Sequence, residues 1–419
     1  MRPTSSDKMD HGSRSPNGHL PATPSFPSES IPMLTARHNR TGIQVRAATN
    51  ERWRDFDFML FATMLVLMIF GTITVWSAVG LPSLTTMNLG TQQFAFGVVG
   101  VGLMYIVASI DYRYFESGAW FLYVLGILAL LSVMSPLGVA IEGTGARNWI
   151  DLGFTTIQPS EFTKVTTIIA LCAFIASRGE AMKEFGNFVI AGMIVAFPTL
   201  LVLMGPDLGQ AMVYVALWGA SLLVARTRTR YLVATVALLP VAIWFAWEFV
   251  LRDYQKERLI CSFSPEEYAL TCGYQPIQGR ISIGAGGLLG AGLEGGTQSQ
   301  MNLLNVRESD FIFAHASGMF GFLGMIALFL ALMIFLWRGL LVAEISRDHF
   351  GQCLAVCIVG TFFFQAFLNI GMNLGVMPVA GINLPFVSAG ISSLWSSLIM
   401  VGILQSIRLH HRRLTFHRR

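Results

Sequence analysis

Ten apolar stretches long enough to cross a bilayer, a charge content far below that of soluble domains and a lopsided distribution of arginine predict an all-α polytopic membrane protein. The expected architecture is a bundle of about ten transmembrane helices with one large extracytoplasmic loop. Hydrophobic residues make up 53% of the 419-residue chain and charged ones only 12%, against roughly 25% in soluble domains. A spanning helix needs about 20 mostly apolar residues. Such stretches fall at 57–78, 91–110, 117–137, 160–177, 186–204, 208–225, 230–251, 311–337, 352–376 and 385–407. A closed β-barrel would need short strands alternating in polarity, whereas Phe58 to Phe70 is one continuous apolar run.

Residues 1–50 are rich in Ser, Pro, Gly, Thr and Arg and lack helical or strand periodicity. They bury too little surface to offset the cost of ordering and read as a disordered cytoplasmic tail. No apolar run precedes Phe56, which argues against a cleavable signal and leaves the first span as an anchor. The membrane domain then covers 51–408, and 409–419 form a basic cytoplasmic tail.

Lys and Arg collect in cytoplasmic loops. One set of segments holds Arg52, Arg54, Arg113, Arg178, Lys183, Arg226, Arg228, Arg230, Arg338, Arg347 and the C-terminal cluster, while the short loops of the other set hold only Arg147. Both termini are therefore expected in the cytoplasm. The long hydrophilic segment 252–310 is expected outside, where its own Arg252, Lys256, Arg258, Arg280 and Arg307 escape the rule because long loops translocate regardless of charge. The net charge of +4 and the basic C-terminus suit anionic lipid headgroups, each residue contributing about 1 kcal/mol near the surface, and do not call for a nucleic-acid partner.

Of five cysteines, Cys172, Cys353 and Cys357 fall in spans and read as small buried hydrophobes. Cys261 and Cys272 share the outer loop, where an oxidising compartment makes a disulfide between them feasible.

Ionisable groups inside spans cost about 2.5–3.5 kcal/mol on insertion scales and are candidates for function. Glu161 and Lys164 follow Pro159, which suits a first helical turn, and their spacing puts them on one face. A salt bridge that neutralises both is the plainer role. Asp207, in Gly-Pro-Asp-Leu-Gly, is placed to cap the span that follows. Arg147 can present a guanidinium to phosphate oxygens, and Trp149 an indole to the membrane interface, which alone would account for it. Gly284, Gly286, Gly287, Gly290 and Gly292 cluster in the outer loop, but without the strand and helix of a nucleotide-binding unit they read as flexible backbone or plain loop. Asp310 stands at the end of that loop, directly before the apolar Phe311-Ile-Phe313, and therefore at the membrane interface. Its carboxyl can be raised by desolvation or lowered by Arg307, and it can serve as helix cap or as general base; nothing in its own position separates the two.

Several segments, taken in order, resemble the SEDS family that includes RodA, FtsW and their sporulation homologue. Gly145-Ala-Arg-Asn-Trp-Ile-Asp-Leu-Gly153 running into Ile157-Gln-Pro-Ser-Glu-Phe-Thr-Lys164 is similar to the family signature GARRWIDLG…QPSELAK. Pro206-Asp-Leu-Gly209, Gly273-Tyr-Gln-Pro-Ile-Gln278, the glycine cluster, Gly296-Thr-Gln-Ser-Gln300 and Asp310-Phe-Ile-Phe-Ala314 follow in the family's order and spacing. Asn369-Ile-Gly-Met-Asn-Leu-Gly375 and Leu384-Pro-Phe-Val-Ser388 complete the match, which spans roughly 57–408.

The resemblance implies a multi-pass protein of the bacterial plasma membrane that polymerises lipid II. An acceptor sugar hydroxyl attacks the anomeric carbon of the growing glycan, and undecaprenyl diphosphate departs. Asp310 would be the essential carboxylate. Glu161 and Lys164 would form the ion pair beside the central cavity, with Arg147, Arg280 and Arg307 as candidates for the diphosphate and Trp149 and Gln300 as further substrate-binding candidates. A divalent cation, Mg or Mn, is an optional companion of such a leaving group; no metal-ligand spacing is visible in the sequence, and no other cofactor is expected. The implied partner is a class B penicillin-binding protein, which would supply the crosslinking this chain has no domain for.

The sequence also departs from the family. The usual His-Thr before the aspartate is Glu308-Ser309, a Glu-Glu pair is replaced by Gly318-Met319, and SYGGSS becomes Ser388-Ala-Gly-Ile-Ser-Ser393. Glu308 would raise the Asp310 carboxyl by like-charge repulsion, and the lost acidic pair removes polar groups from the neighbourhood expected of the cavity. Met377-Pro-Val-Ala-Gly381 resembles the RodA text more than that of FtsW, favouring elongation over division or sporulation. A lipid-linked precursor flippase, or a scaffold without catalysis, stands as the alternative; no internal repeat of the transporter kind is visible.

Overall fold

The computed structural model describes residues 54–79, 88–140, 147–153, 155–205 and 207–411. The expected tail 1–50 and most of the basic tail, 412–419, lie outside the described residues. The helices are α1 (Phe58–Val79), α2 (Leu89–Ser109), α3 (Arg113–Ser117), α4 (Ala119–Val133), α5 (Pro159–Arg178), α6 (Phe185–Met204), α7 (Leu208–Val224) and α8 (Thr229–Phe245). They continue with α9 (Asp253–Phe263), α10 (Tyr274–Ala285), α11 (Thr297–Gln300), α12 (Ile312–Ile345), α13 (His349–Leu374) and α14 (Ile391–Leu409).

Each of the ten apolar stretches holds a helix. Among the described residues eight are long and apolar enough to cross a membrane, and α4 and α7 are shorter apolar helices of 15 and 17 residues. At 1.5 Å per residue these two reach only about 22–26 Å, short of the roughly 30 Å hydrocarbon core. The segment 252–310 is less loop-like than expected, because it contains α9, α10 and α11. The chain between α4 and α5 forms a small antiparallel sheet, β1 (Gly138–Ala140), β2 (Arg147–Asp151) and β3 (Thr156–Ile157), with Trp149 opposite Val139 and Ile157 opposite Ile150.

Local chemistry explains the element ends. Pro159 opens α5, where its missing N–H costs nothing. Asp207 caps α7, accepting from the Gln210 amide at 3.0 Å, as its sequence position suggested. Asp348 caps α13 by accepting from the Gly351 amide at 2.8 Å, and Gly375, at φ 77°, ends that helix in the left-handed region.

The helix α12 is broken at Gly321, whose φ of 62° and ψ of −166° no side chain tolerates easily. The glycine cluster is packed onto this break. The amides of Phe322 and Leu323 donate to Gly287 and Leu288 carbonyls at 2.8 and 3.1 Å, and the amides of Ala291 and Gly292 donate to Gly318 and Met319 carbonyls at 2.9 and 3.0 Å. A Cβ on Gly290 would stand 2.1 Å from the Met319 carbonyl oxygen, so the close approach requires glycine there. This run is therefore a fitted plug for a broken helix, which supersedes its reading as plain or flexible loop.

The core is centred on α5, α13 and α14, which are buried along much of their length. Cys172, Cys353 and Cys357 lie buried between α5 and α13, with Sγ–Sγ distances of 3.7 and 4.0 Å from Cys357 to Cys172 and Cys353. Large apolar side chains such as Val66, Ile69, Val98, Val99, Ile106 and Phe121 are exposed on α1, α2 and α4, as expected of surfaces facing lipid.

Asp57, just before α1, bolts three helices together. Its carboxylate caps α1 by accepting from the Leu60 amide at 3.0 Å and pairs with Arg338 on α12 at 2.7 Å and Arg408 on α14 at 3.0 Å. Gln405 exchanges two 2.9 Å hydrogen bonds with the Asp57 main chain. Asp57 is 1% exposed, so its removal leaves two arginines facing a desolvated gap. Asp57→Ala should lower unfolding stability by about 3 kcal/mol, the low end for breaking a buried pair because both arginines keep some exposure; a thermal melt in detergent that matched wild type would refute this.

Candidate active site

A cavity of about 720 Å³ opens at the end of the bundle that carries segment 252–310, a size typical of small-molecule sites. Its wall is assembled from distant parts of the chain. Asn148 and Trp149 come from β2, Gln158 from the start of α5, Asp207 and Gln210 from the start of α7, and Gln255 and Arg258 from α9. Residues 308–310, 379–381 and 389–391 close it.

Asp310 lines this cavity, and its main chain is held from α13. Asn369 and Asn373 both donate side-chain N–H groups to the Asp310 carbonyl, at 3.1 and 3.0 Å. The neighbouring carbonyls are held as well: Ser388 Oγ donates to Ser309 at 2.7 Å and the Ala389 amide to Glu308 at 2.8 Å. Asp310 does not cap α12. Phe311 occupies the cap position without a side-chain bond, and Asn373 Oδ1 accepts from the Ala314 amide at 3.1 Å. An asparagine from another helix thus satisfies part of that helix end, leaving the Asp310 carboxylate for the cavity.

Burial pushes the Asp310 carboxyl from its ordinary 3.8 up to about 6; Arg258 and a Ser309 hydrogen bond oppose the rise, and Glu308 adds to it. The direction expected from Glu308 is present. The opposing cation is Arg258 and not Arg307, whose guanidinium is bound to the Ala78 carbonyl at 2.8 Å and to the Ser299 carbonyl.

Asp207 faces the same cavity. Besides capping α7 it accepts from Gln158 Nε2 at 2.7 Å. Burial raises its carboxyl to about 6 as well, against the Gln210 amide and Gln158, with Glu161 and Asp310 adding to the rise.

Glu161 and Lys164 form an ion pair at 2.7 Å with both side chains fully buried. They lie one layer beneath the cavity wall: Gln210 Nε2 reaches Glu161 Oε1 at 2.5 Å, and Ser396 Oγ reaches Oε2 at 2.9 Å. Buried charges survive only when paired and hydrogen-bonded, and all of these partners are present.

The other candidates scatter. Trp149 lines the cavity, and Arg147 pairs with Ala140 in the sheet, its side chain lying outside the described residues. Arg280 is paired with Glu266 at 3.3 Å, and Gln300 donates to the Gly295 carbonyl at 3.0 Å; neither lines the cavity. Gly318 and Met319 also lie off its wall, against the glycine cluster, so the family's missing acidic pair is not a gap in this cavity. The sequence reading missed Arg258, Gln158, Gln210, Asn369 and Asn373. Gln158 and the paired asparagines stood in quoted motifs, and nothing there disclosed their tasks. Among the described residues the Arg258 guanidinium has no hydrogen-bond or ion-pair partner, while it reaches Asp310 electrostatically across the cavity.

Comparison with known proteins places the chain. A family model described as "Cell cycle protein", covering FtsW, RodA and SpoVE, matches residues 57–413. The peptidoglycan glycosyltransferase MrdB of Escherichia coli K12 is 34% identical over 86% of this chain and 95% of its own. Stage V sporulation protein E of Bacillus subtilis is 32% identical over 85% of this chain and 98% of its own. A chain from a structure of a peptidoglycan synthase complex that coordinates polymerization and crosslinking shares the fold, with a TM-score of 0.71, 23% identity and coverage of 85% of this chain and 99% of that one. The chain belongs to the FtsW, RodA and SpoVE family of multi-pass bacterial membrane proteins.

Proposed function

We propose that the protein is a peptidoglycan glycosyltransferase that polymerises lipid II with Asp310 as general base. The observation that carries this reading is a carboxylate with a raised pKa, freed from capping, across a cavity from an uncommitted guanidinium. In the reaction the acceptor hydroxyl oxygen forms a bond to the anomeric carbon of the growing glycan. The bond from that carbon to the diphosphate oxygen breaks, and the diphosphate leaves with the electron pair. Asp310 takes the hydroxyl proton, and Arg258 meets the negative charge that gathers on the diphosphate, where a planar guanidinium can bind two oxygens at once. Gln158, Gln255 and Asn148 line the cavity as hydrogen-bonding groups for the sugars, and Trp149 offers an apolar face.

A Mg or Mn ion, if used, would enter with the diphosphate, since magnesium is commonly held by one or two carboxylates plus substrate phosphates. Among the described residues no set of three carboxylate or histidine ligands converges at the cavity, and the one convergent trio is that of the Cys172, Cys353 and Cys357 thiols in the core.

In this reading the termini lie in the cytoplasm and segment 252–310 outside, as the arginine distribution supports. The partner is a class B penicillin-binding protein, and the RodA-like Met377-Pro-Val-Ala-Gly381 favours elongation.

The purified protein with its transpeptidase partner, incubated with lipid II, should form glycan polymer. Asp310→Asn should reduce the rate by about 10²–10⁴-fold; a mutant polymerising at the wild-type rate would remove Asp310 from the role of base. The base works only when ionised, so activity should fall as pH drops through about 6 and level off above it. Asp207 titrates in the same range and faces the same cavity, so the acid limb reflects both carboxylates. Glu308→Gln removes a like charge and should move that limb to lower pH; an unmoved or upward-shifted limb would contradict the assignment.

A further inference from the structure

The helix α9 carries three cavity residues, Gln255, Arg258 and Leu259, whose spacing puts them on one face. Yet α9 is lightly tied. It runs against none of the long helices over any length. Among the described residues, two hydrogen bonds link its N-cap and body to distant chain: Arg252 Nη2 to the Met204 carbonyl at 3.2 Å, and the Val379 amide to Ser262 Oγ at 3.0 Å.

The next helix, α10, is seated firmly. It packs on α12 and α13, Ser282 Oγ donates to the Ala314 carbonyl at 3.0 Å, and a Cβ on Gly279 would lie 3.2 Å from the Phe311 ring. Besides the main chain 264–273, one covalent cross-link joins the end of α9 to the start of α10. Cys261, 1% exposed on the last turn of α9, is disulfide-bonded to Cys272, two residues before α10, with the Cα atoms 5.9 Å apart. Cys261 follows Arg258 by one helical turn.

We infer that the Cys261–Cys272 disulfide is a positioning element of the active site: it fastens α9 to the packed α10 and thereby holds Arg258 across the cavity from Asp310. The inference rests on the reading of the cavity as the polymerisation site. Gln255, Cys261 and Ser262 are buried, but no long helix runs alongside α9; the bond supplements that limited packing and acts on the reaction through Arg258. A misplacement of about 1 Å can cost about 10²-fold in rate, and a guanidinium on an untethered helix loses its fixed distance to Asp310.

The consequence reaches beyond stability. The charged groups facing the Asp310 carboxyl are Arg258 from α9, Glu308 from its own segment and Asp207 from the start of α7. Of these only Arg258 favours the ionised form, so loosening α9 raises the pKa of Asp310 and moves the acid limb of activity to higher pH.

The test compares wild type, Cys261→Ser/Cys272→Ser, Arg258→Ala and the combination of all three substitutions in the lipid II polymerisation assay. The cysteine variant should lose about tenfold or more in rate and shift its acid limb upward in the direction of Arg258→Ala. The triple variant should be no worse than Arg258→Ala, because both changes remove the same interaction. Hydrogen exchange supplies a readout free of activity: amides of 253–263 should exchange faster in the cysteine variant, while those of 274–285 keep their protection. A phosphine reductant added to wild type should reproduce both effects without any substitution. Wild-type rate and acid limb in the cysteine variant, a loss that adds in full to that of Arg258→Ala, or unchanged exchange in α9 would each overturn the inference. Absence of polymer from wild type would instead fail the polymerase reading, with the exchange experiment still deciding whether the disulfide holds α9.

Discussion

The Asp310 carbonyl is gripped by two asparagine side chains one helical turn apart on α13, and the position of the whole site follows from that grip. A carboxylate directly before an apolar helix would ordinarily turn back to cap it. Here Asn373 supplies that service from outside by accepting from the Ala314 amide, and Asn369 and Asn373 pin the Asp310 main chain. The carboxylate therefore points where no backbone amide neutralises it. Its desolvation raises the pKa into the range where a general base is useful near neutral pH.

Beneath that cavity the polar groups are arranged in layers. Gln158 holds Asp207, and Gln210 connects the wall to the Glu161–Lys164 pair below. An ion pair buried this deeply adds little net stability, because desolvation offsets the attraction. Its remaining partner, Ser396 on α14, ties α5 to α14 behind the cavity. The pair reads as support for the wall and as a reason its polar groups keep fixed directions.

The arginines separate by commitment. Arg307 is spent on main-chain carbonyls, Arg280 on Glu266, and Arg338 and Arg408 on Asp57. Arg258 faces the cavity without a partner among the described residues. Arg258 is solvent-exposed, so its guanidinium stays hydrated without a protein partner and is free to exchange water for an anion, which is why the proposed reaction assigns it to the leaving group. Its helix is short and no long helix runs alongside it, and the disulfide to Cys272, just before α10, adds the tether.

Membrane class, helical architecture and the approximate spans were legible in the sequence, because length and exclusion of charge are local properties that a bilayer imposes on each segment separately. Asp310, Asp207 and the Glu161–Lys164 pair were legible as candidates for the same reason: an ionisable group beside or within an apolar run is conspicuous. The roles within the site were decided only by tertiary structure. Whether Asp310 caps or faces the cavity depends on an asparagine 63 residues away, and whether Arg307 or Arg258 faces it depends on a carbonyl 229 residues from Arg307. The glycine cluster looked like slack chain until the break at Gly321 brought its carbonyls to the amides of Phe322 and Leu323. Hydrogen-bond partners so distant in the chain leave no periodicity or spacing to read, and folding alone chooses among the groups that composition makes available.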